Sequence, residues 1–137
     1  MQLEPGSLDG ILGLRFMHFL QTSEVRQCFQ NYAKWLRPGG ILCLTAATPF
    51  IAVAARQALG IYEQRKAANA EWPGEITNEI SIWPDGITCQ YGYLFDEDVM
   101  KREAERVGFK VIKCEFVARE FAHTNGKENL VLLAEKL

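Results

Sequence analysis

The sequence predicts an α/β fold: a mainly parallel sheet with helices on both faces, closed by an antiparallel hairpin. Three observations carry this. Apolar runs of strand length at 8–14 and 41–46 alternate with stretches whose apolar residues keep helical spacing. The link Leu36-Arg37-Pro38-Gly39-Gly40 joins the first such helix to the second apolar run. Proline cannot continue a helix, and the glycine pair opens backbone angles closed to other residues. Finally, "FKVIKCEFV" and "NLVLLAEKL" flank a stretch containing Asn125-Gly126, a strong hairpin signal.

Taken in order, "LDGILGL" (8–14) follows the turn pair Pro5-Gly6 and reads as a short buried strand. Thr22 is placed to cap a helix, with Glu24 in its first turn favouring the helix dipole. Val25, Phe29, Tyr32, Ala33 and Leu36 fall on one face of that helix, with Cys28 on the same side. Ile51, Ala55, Ala58, Leu59 and Tyr62 again keep helical spacing, which predicts a helix over about 50–69. Gly60 weakens it by about 1 kcal/mol relative to alanine, and Glu63, Arg65 and Lys66 read as its solvated face. Residues 70–95 carry turn signals at Trp72-Pro73-Gly74 and Pro84-Asp85-Gly86. The flanking "EISIW" and "ITCQYGYLF" read equally as short strands or an ordered loop. Asp96 caps a further helix with Val99, Met100, Ala104 and Val107 inward, and Gly108 ends it. No repeat, low-complexity tract or linker divides the chain, so residues 1–137 form one domain, with 50–95 as an insertion-like segment.

The chain has 137 residues, 48% apolar and 23% charged, which suits one soluble globular domain burying roughly two thirds of its unfolded surface. A net charge of −2 provides no basic field, so no nucleic-acid partner is expected. No apolar run reaches the ~20 residues that span a bilayer, and no secretory leader pattern is present, so no membrane partner is expected either. The four cysteines, Cys28, Cys43, Cys89 and Cys114, form no Cys-x-x-Cys pair. They read as small buried hydrophobes in a reducing, cytoplasmic setting, with no metal site.

Four features in sequence carry a family resemblance. Asp9 stands at the start of the first strand, and the loop after that strand ends in His18-Phe19. The next helix ends in Leu36-Arg37-Pro38-Gly39-Gly40, and a capped helix ends in Gly108-Phe109-Lys110-Val111. Together they resemble the C-terminal half of class I S-adenosylmethionine-dependent methyltransferases, over nearly the whole chain except about 70–92. The resemblance implies a Rossmann-like sheet and methyl transfer by in-line displacement. It departs from the family at the cofactor: there is no Gly-x-Gly-x-Gly loop, and the pair Gly10 and Gly13 lies within a strand at the wrong spacing. The expectation is therefore the second half of the fold, with S-adenosylmethionine as the cofactor of the complete protein and weak or absent binding by this chain alone. The first strand then becomes a sheet edge, with Ile11, Leu12 and Leu14 on it. A homo-oligomer, or the missing N-terminal half, is expected to cover residues 10–15.

Ligands of such sheets sit beyond the carboxyl ends of the strands, here the loops 15–21 and 47–50. By resemblance, Leu14 and Arg15 match cofactor contacts. His18 points at the acceptor as base or hydrogen-bond donor, or else packs its loop against the next helix. Arg15 neutralises an acidic acceptor group, or is a surface arginine. Thr48, Pro49 and Phe50 line an acceptor pocket, or Phe50 packs in the core. Tyr62, Trp72, Trp83, Tyr91 and Tyr93 form a lid or pocket wall, or cover the sheet. Asp96, Glu97 and Asp98 read as a helix start rather than paired catalytic carboxylates. The acidic balance favours a small-molecule acceptor. The alternative is a non-catalytic α/β interaction module that kept the fold and lost the cofactor.

Overall fold

The computed structural model describes residues 2–50, 56–77, 91–118 and 126–137. Trp83, Cys89, Ile51, Ala55, Asn125, the 84–86 turn and the "EISIW" run lie outside them. The elements are β1 (Leu8–Leu14), a 3-10 turn (Met17–Phe19), α1 (Thr22–Trp35), β2 (Leu36–Ala47), α2 (Arg56–Ala67), β3 (Glu75–Thr77), β4 (Tyr91–Tyr93), α3 (Glu97–Arg106), β5 (Phe109–Val117) and β6 (Asn129–Lys136). The main sheet has the order β1-β2-β6-β5, and β3 pairs with β4 in a separate two-stranded sheet. β1 and β2 pair parallel, whereas β6 runs antiparallel to both β2 and β5. Three strands therefore point one way, and the expected terminal hairpin is present.

Local chemistry explains most boundaries. Asp96 caps α3 by accepting a hydrogen bond from the Val99 amide at 2.8 Å, and Gly108, at φ +91°, turns the chain out of it. The cap of α1 lies one residue before the expected Thr22: the Gln21 amide donates to the Glu24 carboxylate at 2.7 Å, and Thr22 is the first helical residue. β2 begins five residues before the expected strand, at Leu36 rather than Ile41. Leu8 pairs with Leu36 and Gly10 with Ile41. Residues 37–40 are thus an excursion inside the strand, which Gly39 permits at φ +80°.

One face of the sheet holds the core. Leu42, Leu44 and Ala46 of β2 and Leu130, Leu132 and Ala134 of β6 pack with Val25, Phe29 and Tyr32 of α1 and Val99, Met100 and Ala104 of α3. Each fully buried large apolar side chain contributes about 1.5–3 kcal/mol, and Phe29→Ala would cost about 3–5 kcal/mol. Tyr93 and Phe95 belong to the same core, and Trp72 packs against it. Of the middle aromatics among the described residues, Trp72 and Tyr93 therefore cover the sheet, whereas Tyr62 is buried outside this cluster and Tyr91 is exposed.

The opposite face differs. Among the described residues, the buried cluster forms on the α1 and α3 side. On the other side Leu12, Cys43, Leu133 and Lys113 align across the four strands, with Leu14, Thr45, Val131 and Glu115 in the next row. Leu12 is 67% and Leu14 56% exposed. β1 is thus an open edge rather than a buried strand. Cys28, Cys43 and Cys114 are free and half-buried rather than fully buried.

Arginines fasten the middle segment to this core. Trp72 lies between the guanidinium groups of Arg26 and Arg102, 5.0 and 4.8 Å from its ring centroid. The buried Glu103 carboxylate accepts from both and pairs with Arg106 at 3.4 Å. Arg65 donates to the Glu75 carbonyl at 2.5 Å, and Lys66 to Asp96 and Asp98 at 2.8 and 2.6 Å. The expected solvated face of α2 is therefore in part a fastening face.

Candidate functional site

β1 and β2 run parallel, so their carboxyl ends lie together, and the chain leaves them through 15–21 and 47–50. Arg15, the residue after β1, is left-handed at φ +55°. Few non-glycine residues accept that strain, and it concentrates at functional sites. Its amide holds the position by donating to the Thr45 carbonyl at 2.9 Å and to Thr45 Oγ1 at 3.1 Å. Its guanidinium donates to Asn129 Oδ1 at the start of β6. Backbone groups alternate sides along a strand, so with the Arg15 amide facing β2, the amide and carbonyl of Leu14 face the open edge. The Leu14 side chain points away from the core, on the bare face.

His18 sits in the 3-10 turn and is only 6% exposed. The Ala47 amide donates to its Nδ1 at 3.3 Å. An amide can only donate, so Nδ1 carries the ring's lone pair and Nε2 carries the proton. Burial, with the nearby Arg15 charge adding to it, lowers the His18 pKa to about 4. The imidazole is neutral near pH 7, and its single basic nitrogen is already occupied. From below, Gly92 of β4 comes so close that a Cβ there would lie 2.7 Å from the His18 carbonyl oxygen. β3 and β4 are joined to the sheet end where the Phe95 amide donates to the Ala47 carbonyl at 2.9 Å. A cleft of about 160 Å³ separates them from the start of α1, lined by Gln21, Thr22, Ile76 and Tyr91 among others.

The second loop is equally tied down. The buried Thr48 hydroxyl donates to the Lys127 carbonyl and accepts from the Phe50 amide at 3.2 Å. Phe50 meets Tyr62 edge-on at 5.8 Å between centroids and Phe116 at 5.3 Å. The Lys127 ammonium stands over both Phe50 and Phe116, at 5.2 and 5.7 Å. The Tyr62 hydroxyl donates to Asp96 at 2.8 Å. Burial and that bond hold its pKa above the usual tyrosine value. Its hydroxyl is thus committed to the cap of α3, and only its ring is left to line a pocket.

The structure brings the sequence-derived candidates into two groups: Leu14, Arg15 and His18 around the end of β1, and Thr48, Phe50 and Tyr62 beyond the end of β2. Sequence reasoning missed Asn129, Lys127 and the Gly92 approach. Asn129 lies 114 residues from Arg15, and no local pattern signals such a contact. Among the described residues no three His, Cys, Asp or Glu side chains converge as a metal site. Nor is any helix among them long and apolar enough to cross a membrane.

No family model and no curated protein matches the sequence. Solved structures do match the fold. An S-adenosylmethionine-dependent methyltransferase from Methanosarcina mazei aligns with all of this chain and 63% of its own, at 17% identity and a TM-score of 0.67. A Mesorhizobium loti methyltransferase of the same cofactor class aligns with 99% of this chain and 65% of its own, at 15% identity and a TM-score of 0.60. The Burkholderia thailandensis 1,6-didemethyltoxoflavin-N1-methyltransferase, solved with 1,6-didemethyltoxoflavin and S-adenosylhomocysteine, aligns with 96% of this chain and 45% of its own, at 14% identity and a TM-score of 0.62. The chain thus spans less than two thirds of each, and at these identities the likeness is one of fold. In that fold it resembles the C-terminal half of class I methyltransferases, a Rossmann-like α/β arrangement.

Proposed function

We propose that this chain is the acceptor-side part of an S-adenosylmethionine-dependent methyltransferase, acting on a small-molecule acceptor. The supporting observation is the alignment of the whole chain with methyltransferase folds, joined to a strained, tied-down site at the carboxyl ends of β1 and β2. Fold alone does not fix chemistry, so the residues must carry the rest.

The described residues fit one end of the cofactor. The open-edge backbone of Leu14 and the left-handed Arg15 suit the methionine end, but no Gly-x-Gly-x-Gly loop exists in the sequence for the adenosine end. When bound, S-adenosylmethionine supplies a methyl group on a sulfonium, which an in-line nucleophile displaces. The protein's main task is alignment, worth about 7–11 kcal/mol in favourable cases. Thr48 holds the loop that places Phe50, and the rings of Phe50 and Tyr62 form an edge-to-face wall for a flat acceptor. Cofactor binding by the isolated chain is weak, since half of its site is missing, and catalysis needs a part that covers the β1 edge and supplies the adenosine site.

The test is a nuclear magnetic resonance titration of the labelled chain with S-adenosylhomocysteine. Shifts confined to residues 14–18 and 47–50, at weak affinity, support the reading. No shifts, or shifts elsewhere, favour the second reading, a non-catalytic interaction module, for which the open apolar edge of β1 speaks.

A further inference from the structure

We infer that the cleft between β3–β4 and the start of α1 is a headgroup site for a small organic ammonium ion, the charged amine end of the acceptor. The inference rests on the reading above and names the charge class of its acceptor.

The cleft, of about 160 Å³, is lined by described residues throughout. Pockets for whole ligands hold about 300–1,000 Å³, so this one takes a headgroup and leaves the rest of the molecule outside. It adjoins the loop 15–21, whose last residue, Gln21, forms part of its wall. The buried Ile76 and Gly92 give it an apolar part. Thr22, Glu75, Thr77 and Tyr91 bring three hydroxyls, a carboxylate and a ring to it.

The protein itself engages none of these side chains. Among the described residues, no hydrogen bond, ion pair or ring contact is made to the side chain of Thr22, Glu75, Thr77 or Tyr91. Arg65 bonds Glu75 at its backbone carbonyl, at 2.5 Å, and not at its carboxylate. No lysine, arginine or histidine lines the cleft, so Glu75 carries its only formal charge. The start of α1 brings a positive dipole end toward Gln21, but the Glu24 carboxylate accepts from the Gln21 amide at 2.7 Å and offsets it. A cation is therefore the favoured occupant, and an anion is repelled. An ammonium group only donates, which matches a carboxylate and hydroxyl oxygens as acceptors. Tyr91, 45% exposed, adds a ring on which a cation or its alkyl stem can rest. A metal ion is poorly matched, since among the described residues no group of three His, Cys, Asp or Glu side chains includes Glu75.

The test is a nuclear magnetic resonance titration of the full labelled chain with benzylamine, a cation at pH 7, against benzyl alcohol and benzoate. We expect benzylamine to shift the amide signals of Thr22, Thr77 and Gly92, and to bind about fivefold more tightly than benzyl alcohol, as one exposed ion pair allows. Glu75→Gln, a change at an exposed side chain without partners, should weaken benzylamine about fivefold and leave benzyl alcohol unaffected. Added salt should weaken benzylamine binding to the parent chain more than to this variant. No response to benzylamine, an equal response to all three probes, a preference for benzoate, shifts away from the cleft, or unchanged binding by Glu75→Gln would each overturn the inference. These signals lie outside residues 14–18 and 47–50 and need no cofactor. Failure of the S-adenosylhomocysteine titration therefore remains distinguishable from failure here.

Discussion

The guanidinium of Arg15, just past β1, donates to Asn129 Oδ1 at the start of β6, reaching across the end of the intervening β2. This contact ties the left-handed residue of the site to the terminal hairpin. Asn129→Ala should lower stability by about 1 kcal/mol, the net worth of such a bond. It should also broaden the signals of 14–18, because one restraint on the strained turn is gone. Urea unfolding and amide spectra of the variant check both.

The buried His18 makes stability depend on pH. Its pKa is lowered to about 4 in the folded state against about 6.5 unfolded. Below 6.5 the unfolded chain takes up a proton that the folded chain refuses, so stability is full above that value and falls as the pH drops toward 4. Between pH 7 and pH 5 the loss from this one group is about 2 kcal/mol. His18→Gln should flatten that slope in urea midpoints measured across the same range, and an unchanged slope would refute the assignment.

Two glycines give opposite outcomes. A Cβ at Gly74 would lie 1.8 Å from the Leu94 carbonyl oxygen, where the Leu94 amide also bonds back to Gly74 at 2.8 Å. Gly74→Ala must separate these backbones and should cost about 2–3 kcal/mol. Gly60 lies within α2 and a Cβ there meets nothing within 4 Å. Gly60→Ala should stabilise by up to about 1 kcal/mol. Thermal midpoints moving in opposite directions are the expected result.

Glu103 is 1% exposed and receives Arg26, Arg102 and Arg106. Removing a buried charge from its partners costs about 3–5 kcal/mol in general. These arginines keep 32–47% of their side chains in solvent, so Glu103→Ala should fall near the low end, about 3 kcal/mol. Glu103→Gln should cost less, since an amide oxygen still accepts. Because the cluster grips Trp72, tryptophan emission should shift to the red in the alanine variant.

The open edge of β1 predicts association of the isolated chain. Leu12 and Leu14 are exposed on β1, the edge strand of the sheet among the described residues, a template for pairing with another strand. Leu12→Lys should reduce the apparent mass in sedimentation at high concentration while leaving the urea midpoint within about 0.5 kcal/mol of the parent, as an exposed position allows. A wild-type chain that stays monomeric throughout would remove this expectation.

Where a feature depends on neighbours in the chain, the sequence alone determined it. The run 8–14 becomes β1, Asp96 caps α3 three residues before the amide it accepts, Gly108 ends that helix, and the last two apolar runs pair antiparallel. The same locality made the loops 15–21 and 47–50, with Arg15, His18, Thr48 and Phe50, legible as candidates, because loops after parallel strands are where ligands sit; Leu14 was a candidate through the family resemblance. Tertiary structure decided the rest. Whether Leu12 is buried depends on what lies beside β1, and whether Arg65 and Lys66 meet water depends on where 73–75 and Asp96 come to rest. The state of His18 depends on one amide, that of Ala47, 29 residues away. Propensity and periodicity act over a few residues, whereas exposure, tautomer and charge pairing are set by contacts between segments that only the folded chain brings together.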